Sequence, residues 1–278
     1  MAESESGAVM GFLNGQVHLE SHEQYHGRRE ISASMIKSLL NSPEEFEWLH
    51  VLGNRKEASS AMDFGTAIHE EQLMGLWEQS WVEIPESVLD SRGHKRGSAW
   101  KAFERENEGK VLLKPDQVGK MKIIAERMRQ NPIAAELLGR RAEGLSEISI
   151  TADAPLEDGT LQKVRGRLDL LLPDCIVDLK TISSLDDRTR QYRPFDHNWH
   201  VQAVMYQLLV NAVRGGDLLP VYFIAVETSI PYRVEVLRPM PDTLAGAAIL
   251  LQDAIEEIVE RTRSGNWHRE NWPEPFHF

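Results

Sequence analysis

Residues 163–182 read Lys163-Val164-Arg165-Gly166-Arg167-Leu168-Asp169-Leu170-Leu171-Leu172-Pro173-Asp174-Cys175-Ile176-Val177-Asp178-Leu179-Lys180-Thr181-Ile182, and the fold turns on them. Pro173-Asp174 is a turn signal between two apolar-rich runs. Lys163–Leu172 and Cys175–Ile182 therefore read as two strands joined by a tight turn. Successive side chains of a strand point to opposite faces. In the first strand Arg165, Arg167 and Asp169 share one face, and Val164, Leu168 and Leu170 share the other. In the second strand Asp178 and Lys180 lie together, opposite Val177 and Leu179. Apolar residues on both sides of Asp178 and Lys180 predict a central strand. Charges in such a strand need a partner or a metal.

Just before this stretch, Leu145–Thr151 alternates and predicts a strand that puts Glu147, Ser149 and Thr151 on one face. Glu157-Asp158-Gly159-Thr160 is the hairpin turn that follows it. Downstream, residues 196–213 predict a helix, Val221–Glu227 and Arg233–Leu237 a strand pair, and residues 241–263 a last amphipathic helix. Upstream, residues 1–30 read as loosely ordered. Ile31–Leu40 reads as a short helix capped by Ser32 or Ser34. Pro43 opens another, Ser59–Trp77 a longer one, and Pro115–Arg129 a fourth, with a helical piece after Pro132. Gly65 inside the longer helix predicts close approach of another backbone or a ligand. Residues 80–113 give no clear pattern. The order predicts an α/β fold, a mixed sheet flanked by helices. The expected organisation is one domain over 1–278: a mainly helical part to 144, a sheet core at 145–240, and a helix with an aromatic tail at 241–278. That tail (Trp267, Trp272, Phe276, Phe278) either packs on its own domain or docks on a neighbouring subunit.

The chain has 278 residues, 41% hydrophobic and 27% charged, ordinary values for a soluble globular protein. No apolar run reaches the ~20 residues of a membrane helix. The acidic, polar start does not resemble a secretory signal. The single cysteine, Cys175, excludes an internal disulfide. These features predict a cytoplasmic protein. The net charge of -12 argues against nucleic acid, whose binding rests on Lys and Arg contacts to phosphate. Two features can reconcile the charge with such a partner. Carboxylates can hold cations, and basic residues can be focused in one channel.

If the three strands pair in order, Glu147, Asp169, Asp178 and Lys180 converge. Clustered carboxylates raise one another's pKa unless a cation offsets them. Mg²⁺ suits this set, with Mn²⁺ as an alternative. It takes one or two carboxylates and fills its other positions with water and phosphate oxygens. A nearby lysine can orient water or neutralise a phosphate. Arg165 and Arg167 either grip DNA phosphates or pair with Glu147 or Asp178. His197-x-x-His200 has no second pair of ligands to make a zinc site.

Asp169 followed by Asp178-Leu179-Lys180 resembles the PD-(D/E)xK nuclease signature, with Leu168 where the proline would stand. Gln202 and Tyr206, four residues apart on one helix face, are similar to the Q-x-x-x-Y pair of its RecB-type branch. Gly65-Thr66-Ala67-Ile68-His69 resembles the helix that supplies a metal-binding histidine there. Tyr25-His26, Ile31-Ser32-Ala33-Ser34, Ser42-Pro43 and Met62-Asp63-Phe64 widen the likeness, over about residues 25–240, to the RecE-like group (exonuclease VIII type, often phage-borne). The resemblance implies a restriction-endonuclease-like core. It implies His69, Glu147, Asp169 and Asp178 as metal ligands, Lys180 as catalytic lysine, and Gln202 and Tyr206 as supports or DNA contacts. It also implies a 5′-to-3′ exonuclease on linear double-stranded DNA, a ring-shaped homo-oligomer and a single-strand-annealing partner in recombination. A structure-specific endonuclease and a non-catalytic DNA-binding scaffold remain the alternatives.

Overall fold

The computed structural model describes residues 11–54, 60–74 and 81–268. Leu76, Trp77 and the tail aromatics Trp272, Phe276 and Phe278 lie outside the described residues. In chain order the elements begin with β1 (Leu13–His18), α1 (His22–Gly27), β2 (Ile31–Ser32), α2 (Ala33–Asn41), α3 (Pro43–Phe46) and α4 (Ser60–Met74). Next come β3 (Trp81–Glu83), α5 (Ser98–Glu106), β4 (Val111–Leu113), α6 (Pro115–Gln130) and α7 (Pro132–Gly139). The rest are β5 (Leu145–Pro155), β6 (Leu161–Leu171), β7 (Ile176–Ile182), α8 (Asp187–Asp196), α9 (Trp199–Arg214), β8 (Val221–Glu227), β9 (Val234–Leu237) and α10 (Pro241–Ser264).

Six strands run in the order β1-β5-β6-β7-β8-β9, with β2 as a seventh beside β6. The neighbours are antiparallel except β7 with β8 and β2 with β6, which are parallel. This is a mixed sheet between helices, as the alternating runs predict. One apolar layer packs the sheet against α2, α9 and α10, around residues such as Ile36, Leu168, Leu209 and Ile255. The other packs it against α4, α6 and α7, around Ile68, Met121, Leu137, Leu179 and Ile224. Burying each such side chain contributes roughly 1.5–3 kcal/mol. Trp267, the first of the tail aromatics, stacks on Phe46 and is buried on its own domain. Among the described residues no helix is long and apolar enough to cross a membrane.

Local sequence sets many boundaries. The Ser32 hydroxyl accepts from the Met35 amide and starts α2, and Ser42 accepts from Glu45 ahead of Pro43 to start α3. Gly65 packs against β7, where an added Cβ would stand 3.0 Å from Thr181 Oγ1. Two expectations need correction. Residues 11–30 are ordered: β1 pairs with the outer edge of β5, and α1 carries a Ser21–Gln24 capping box. The strand is polar and exposed because it is a sheet edge, so no apolar alternation marks it. The helix expected over 196–213 is α9, which starts only at Trp199 because Asn198 takes a left-handed conformation (φ 52) and parts it from α8, a helix absent from the sequence reading. Pro194 sits in the last turn of α8, where it cannot donate to the helix ladder.

The sheet has a gap that places the site. On one edge of β6, β7 pairs at Leu170 and Leu171, and β2 pairs at Val164 and Arg165. Between them, residues 166–169 have no ladder partner on that edge among the described strands. The strands part where Asp169 and Asp178 would have met.

Candidate active site

Where the β6–β7 ladder stops, side chains replace it. The Asp169 carboxylate accepts from the Leu179 amide at 2.7 Å, and the Tyr206 hydroxyl donates to the Arg167 carbonyl at 2.7 Å. Gly166 lets α9 come this close: an added Cβ would stand 2.6 Å from Leu209 Cδ1 and 3.0 Å from Tyr206 Cε1.

Glu147 lies across from Asp169 on β5. Its φ of 53 is the left-handed region, which an L side chain rarely adopts and which tends to mark functional sites. The Arg167 guanidinium holds the Glu147 carboxylate at 2.9 Å. On the other side α4 brings His69, whose Nδ1 lies 3.4 Å from Asp169 Oδ2. One ligand atom from each of His69, Glu147 and Asp169 lies within 4.8 Å of the others. Burial, and after it the Asp178 carboxylate, push Asp169 well above the usual carboxylate range. Burial holds His69 below its ordinary value, which favours the neutral imidazole that a metal needs.

Asp178 is buried beside this trio. Its Oδ1 accepts from Gln202 Nε2 at 2.9 Å. Lys180 Nζ stands 2.6 Å from Oδ2, yet off the hydrogen-bond direction, so this buried oxygen lacks an aligned donor. A buried carboxylate oxygen so placed, next to a carboxylate–imidazole–carboxylate trio, suits a hard divalent cation. The residues present therefore fit a divalent metal, with His69, Glu147, Asp169 and Asp178 to hold it.

Gln202 organises the other half of the site. Its Nε2 also donates to the Tyr206 hydroxyl at 2.8 Å, and its Oε1 accepts from Lys180 at 3.1 Å. The pair is thus bonded to Asp178, Lys180 and the Arg167 carbonyl. Lys37 was not marked by the sequence. It donates to the same Gln202 oxygen at 2.9 Å, and burial, then Lys180, lower its pKa to about 7. It sits on α2, 165 positions away along the chain, and no local motif announces it.

The arginines are turned inward. Arg165 is buried, with its guanidinium on the Tyr25 and Glu30 carbonyls and over the Tyr25 ring. As placed it ties α1 and β2 to the sheet. Arg167 serves Glu147, the Glu20 carbonyl and Ser149. The ion pairing weighed for the two arginines is thus realised by Arg167 with Glu147.

This fold and this gathering of D…D-x-K with Q-x-x-x-Y define the PD-(D/E)xK class. Residues 32–271 match the profile of the PDDEXK-like domain of unknown function (DUF3799), and the chain belongs to that family. No curated protein matches the sequence. Among solved structures, a candidate exonuclease from Eubacterium rectale aligns over 89% of this chain and 88% of its own, with 15% identity and a TM-score of 0.60. At that identity it is a likeness of fold. The structure of SSO0001 aligns over 73% of this chain and 88% of its own at 15% identity, with a TM-score of only 0.30.

Proposed function

We propose that this chain is a metal-dependent deoxyribonuclease, a 5′-to-3′ exonuclease on linear double-stranded DNA. The observation that carries the reading is the convergence of His69, Glu147 and Asp169 within 4.8 Å beside Asp178 and Lys180 at a gap in the sheet. A divalent ion there, Mg²⁺ or Mn²⁺, supplies charge neutralisation and Lewis-acid activation for phosphodiester hydrolysis. The protein's own groups do the rest. Lys180 presents an ammonium to the scissile phosphate, Gln202 orients Lys180 and Asp178 together, and Tyr206 locks Gln202. The candidate exonuclease that shares the fold supports the exonuclease form over an endonuclease.

The acidic composition is compatible with duplex binding because the charge is uneven. Residues 91–130 hold eleven Lys and Arg against five Asp and Glu, six net positive charges in a chain of net -12. Lys101, Lys110 and Lys122 in this segment are exposed. Such a segment can track the phosphate backbone while the remaining surface stays acidic. The RecE-like resemblance extends the proposal to a ring-shaped homo-oligomer and a single-strand-annealing partner in recombination, and the lone cysteine suits a cytoplasmic setting.

The test is digestion of end-labelled linear duplex with Mg²⁺, next to a closed circle of the same sequence, by the native protein and Asp178→Ala. Loss of the linear form only, abolished in the variant, is the expected result. Cutting of the circle would replace the exonuclease with an endonuclease. Absence of metal-dependent cutting of either form would leave the non-catalytic scaffold.

A further inference from the structure

Two ammonium groups share one amide oxygen in this site. Lys180 and Lys37 both donate to Gln202 Oε1, at 3.1 and 2.9 Å. Lys180 has Asp178 to offset its charge, at 2.6 Å. Lys37 has no carboxylate within ion-pair distance among the described residues. It uses one of its three donors on Gln202, which leaves two. Lys37 is itself part-buried on α2, and its hydrogen bond to Gln202 fixes where the amine stands. Its surroundings include the negative charges of Asp178 and Asp169 and the positive charge of Lys180.

Two ammonium groups held together in a half-buried place repel, and Lys37, with its pKa lowered to about 7, sheds part of its charge in the free protein at neutral pH. Sharing a neutral oxygen does little to lower the repulsion. An anion between them does, because each ammonium then gains a charge-assisted hydrogen bond. The anion that the proposed reaction brings to this place is a DNA phosphate. We propose that Lys37 is a second phosphate-binding lysine, which with Lys180 brackets a backbone phosphate of the substrate at Gln202. The proposal rests on the nuclease reading above. The competing role is structural: Lys37 only holds Gln202, and through it Lys180 and Asp178.

The two roles separate on salt dependence. A lysine that binds phosphate releases counterions, so its removal lowers the slope of log Kd against log salt by roughly 0.9 for duplex DNA. A residue that only positions Gln202 leaves that slope alone. The experiment is binding of a labelled linear duplex by the full chain in Ca²⁺, across a range of salt, for the native protein, Lys37→Met and Lys37→Arg. Methionine keeps the stem and drops the charge; arginine keeps the charge. Mn²⁺ titration without DNA reports on the metal ligands, and thermal melting reports on the fold. We expect Lys37→Met to bind duplex about 10-fold more weakly with the slope lowered by about 0.9, Lys37→Arg to keep the native slope, and Mn²⁺ affinity to stay native in both. An unchanged slope in a folded Lys37→Met overturns the proposal, whatever happens to turnover. If Lys37→Met does not fold, a lowered slope in Lys37→Arg overturns it equally. A native protein that neither binds nor cuts DNA would sink the nuclease reading itself, and Lys37's role with it.

Discussion

Residue by residue, the site is a set of charges held at a cost. Asp169 is buried beside Asp178 and Glu147, and its raised pKa means the folded state binds a proton that the unfolded state has already lost. The folded state is therefore favoured at low pH, and this contribution fades as pH climbs through Asp169's raised pKa. A metal needs the ionised form, so proton and metal compete. Thermal melting should show a Mg²⁺-induced rise in Tm that grows as pH climbs through Asp169's raised pKa. Asp169→Asn should lose that metal response while melting, without metal, at or above the native temperature. A metal response that is flat with pH would mean that Asp169 is not a ligand. Gln202 is the hub of the polar network, bonded to Asp178, Tyr206, Lys180 and Lys37. With Asp178 as the ligand proposed above, Gln202→Ala should cost about 10–100-fold in metal affinity or turnover, the usual penalty for removing a partner of a ligating carboxylate. Isothermal titration with Mn²⁺ and single-turnover digestion would measure the two separately.

Among the elements, the decisive meeting is that of α9 with the gap in β6. Helix α9 is buried along nearly its whole length, and Leu209 and Tyr206 pack onto the strand where residue 166 lacks a side chain. Gly166→Ala would push a methyl to within 2.6 Å of Leu209 and 3.0 Å of Tyr206. Overpacking of this kind costs roughly 1–3 kcal/mol. In a chain of this length we expect Tm to fall by a few degrees, and activity to fall further than stability because Tyr206 carries Gln202 with it. Melting and digestion on the same preparation would check both, and native activity in a destabilised Gly166→Ala would disconnect α9 from the chemistry. The elements also show where sequence reading works. Strands β5 to β7 and helix α6 carry clear periodicity and capping, and their placement follows from pattern. Strand β1 has no such pattern, because an edge strand is defined by the neighbour it joins. The start of α9 depends on one left-handed residue, Asn198, near the beginning of the span, 196–213, that reads as helix.

Across the molecule as a body, the net charge is less informative than its distribution. The positive segment at 91–130 lies in a chain that is otherwise strongly acidic. Replacing Lys101, Lys110 and Lys122 by Gln should weaken duplex binding and reduce its salt slope by up to about 0.9 for each phosphate left without its lysine. Mn²⁺ binding should be unaffected, since none of the three belongs to the metal site. Filter binding at several salt concentrations would show it, and a native slope in the triple variant would place the DNA track elsewhere.

Local pattern was enough to define the class of fold and the core of the site. Alternation in β5, β6 and β7 put Glu147, Asp169, Asp178 and Lys180 on faces that could meet, and the Q-x-x-x-Y spacing put Gln202 and Tyr206 on one side of a helix. Those are short-range relations, set by the two-residue period of a strand and the 3.6-residue period of a helix. Which groups share an atom was left to the folded chain. Folding brought Lys37 to Gln202 across 165 positions, turned Arg165 inward onto Tyr25, gave Arg167 to Glu147 and opened the sheet between Asp169 and Asp178. Nothing in a local period encodes these, because each depends on how two separately folded elements pack, and the packing is set by the whole core.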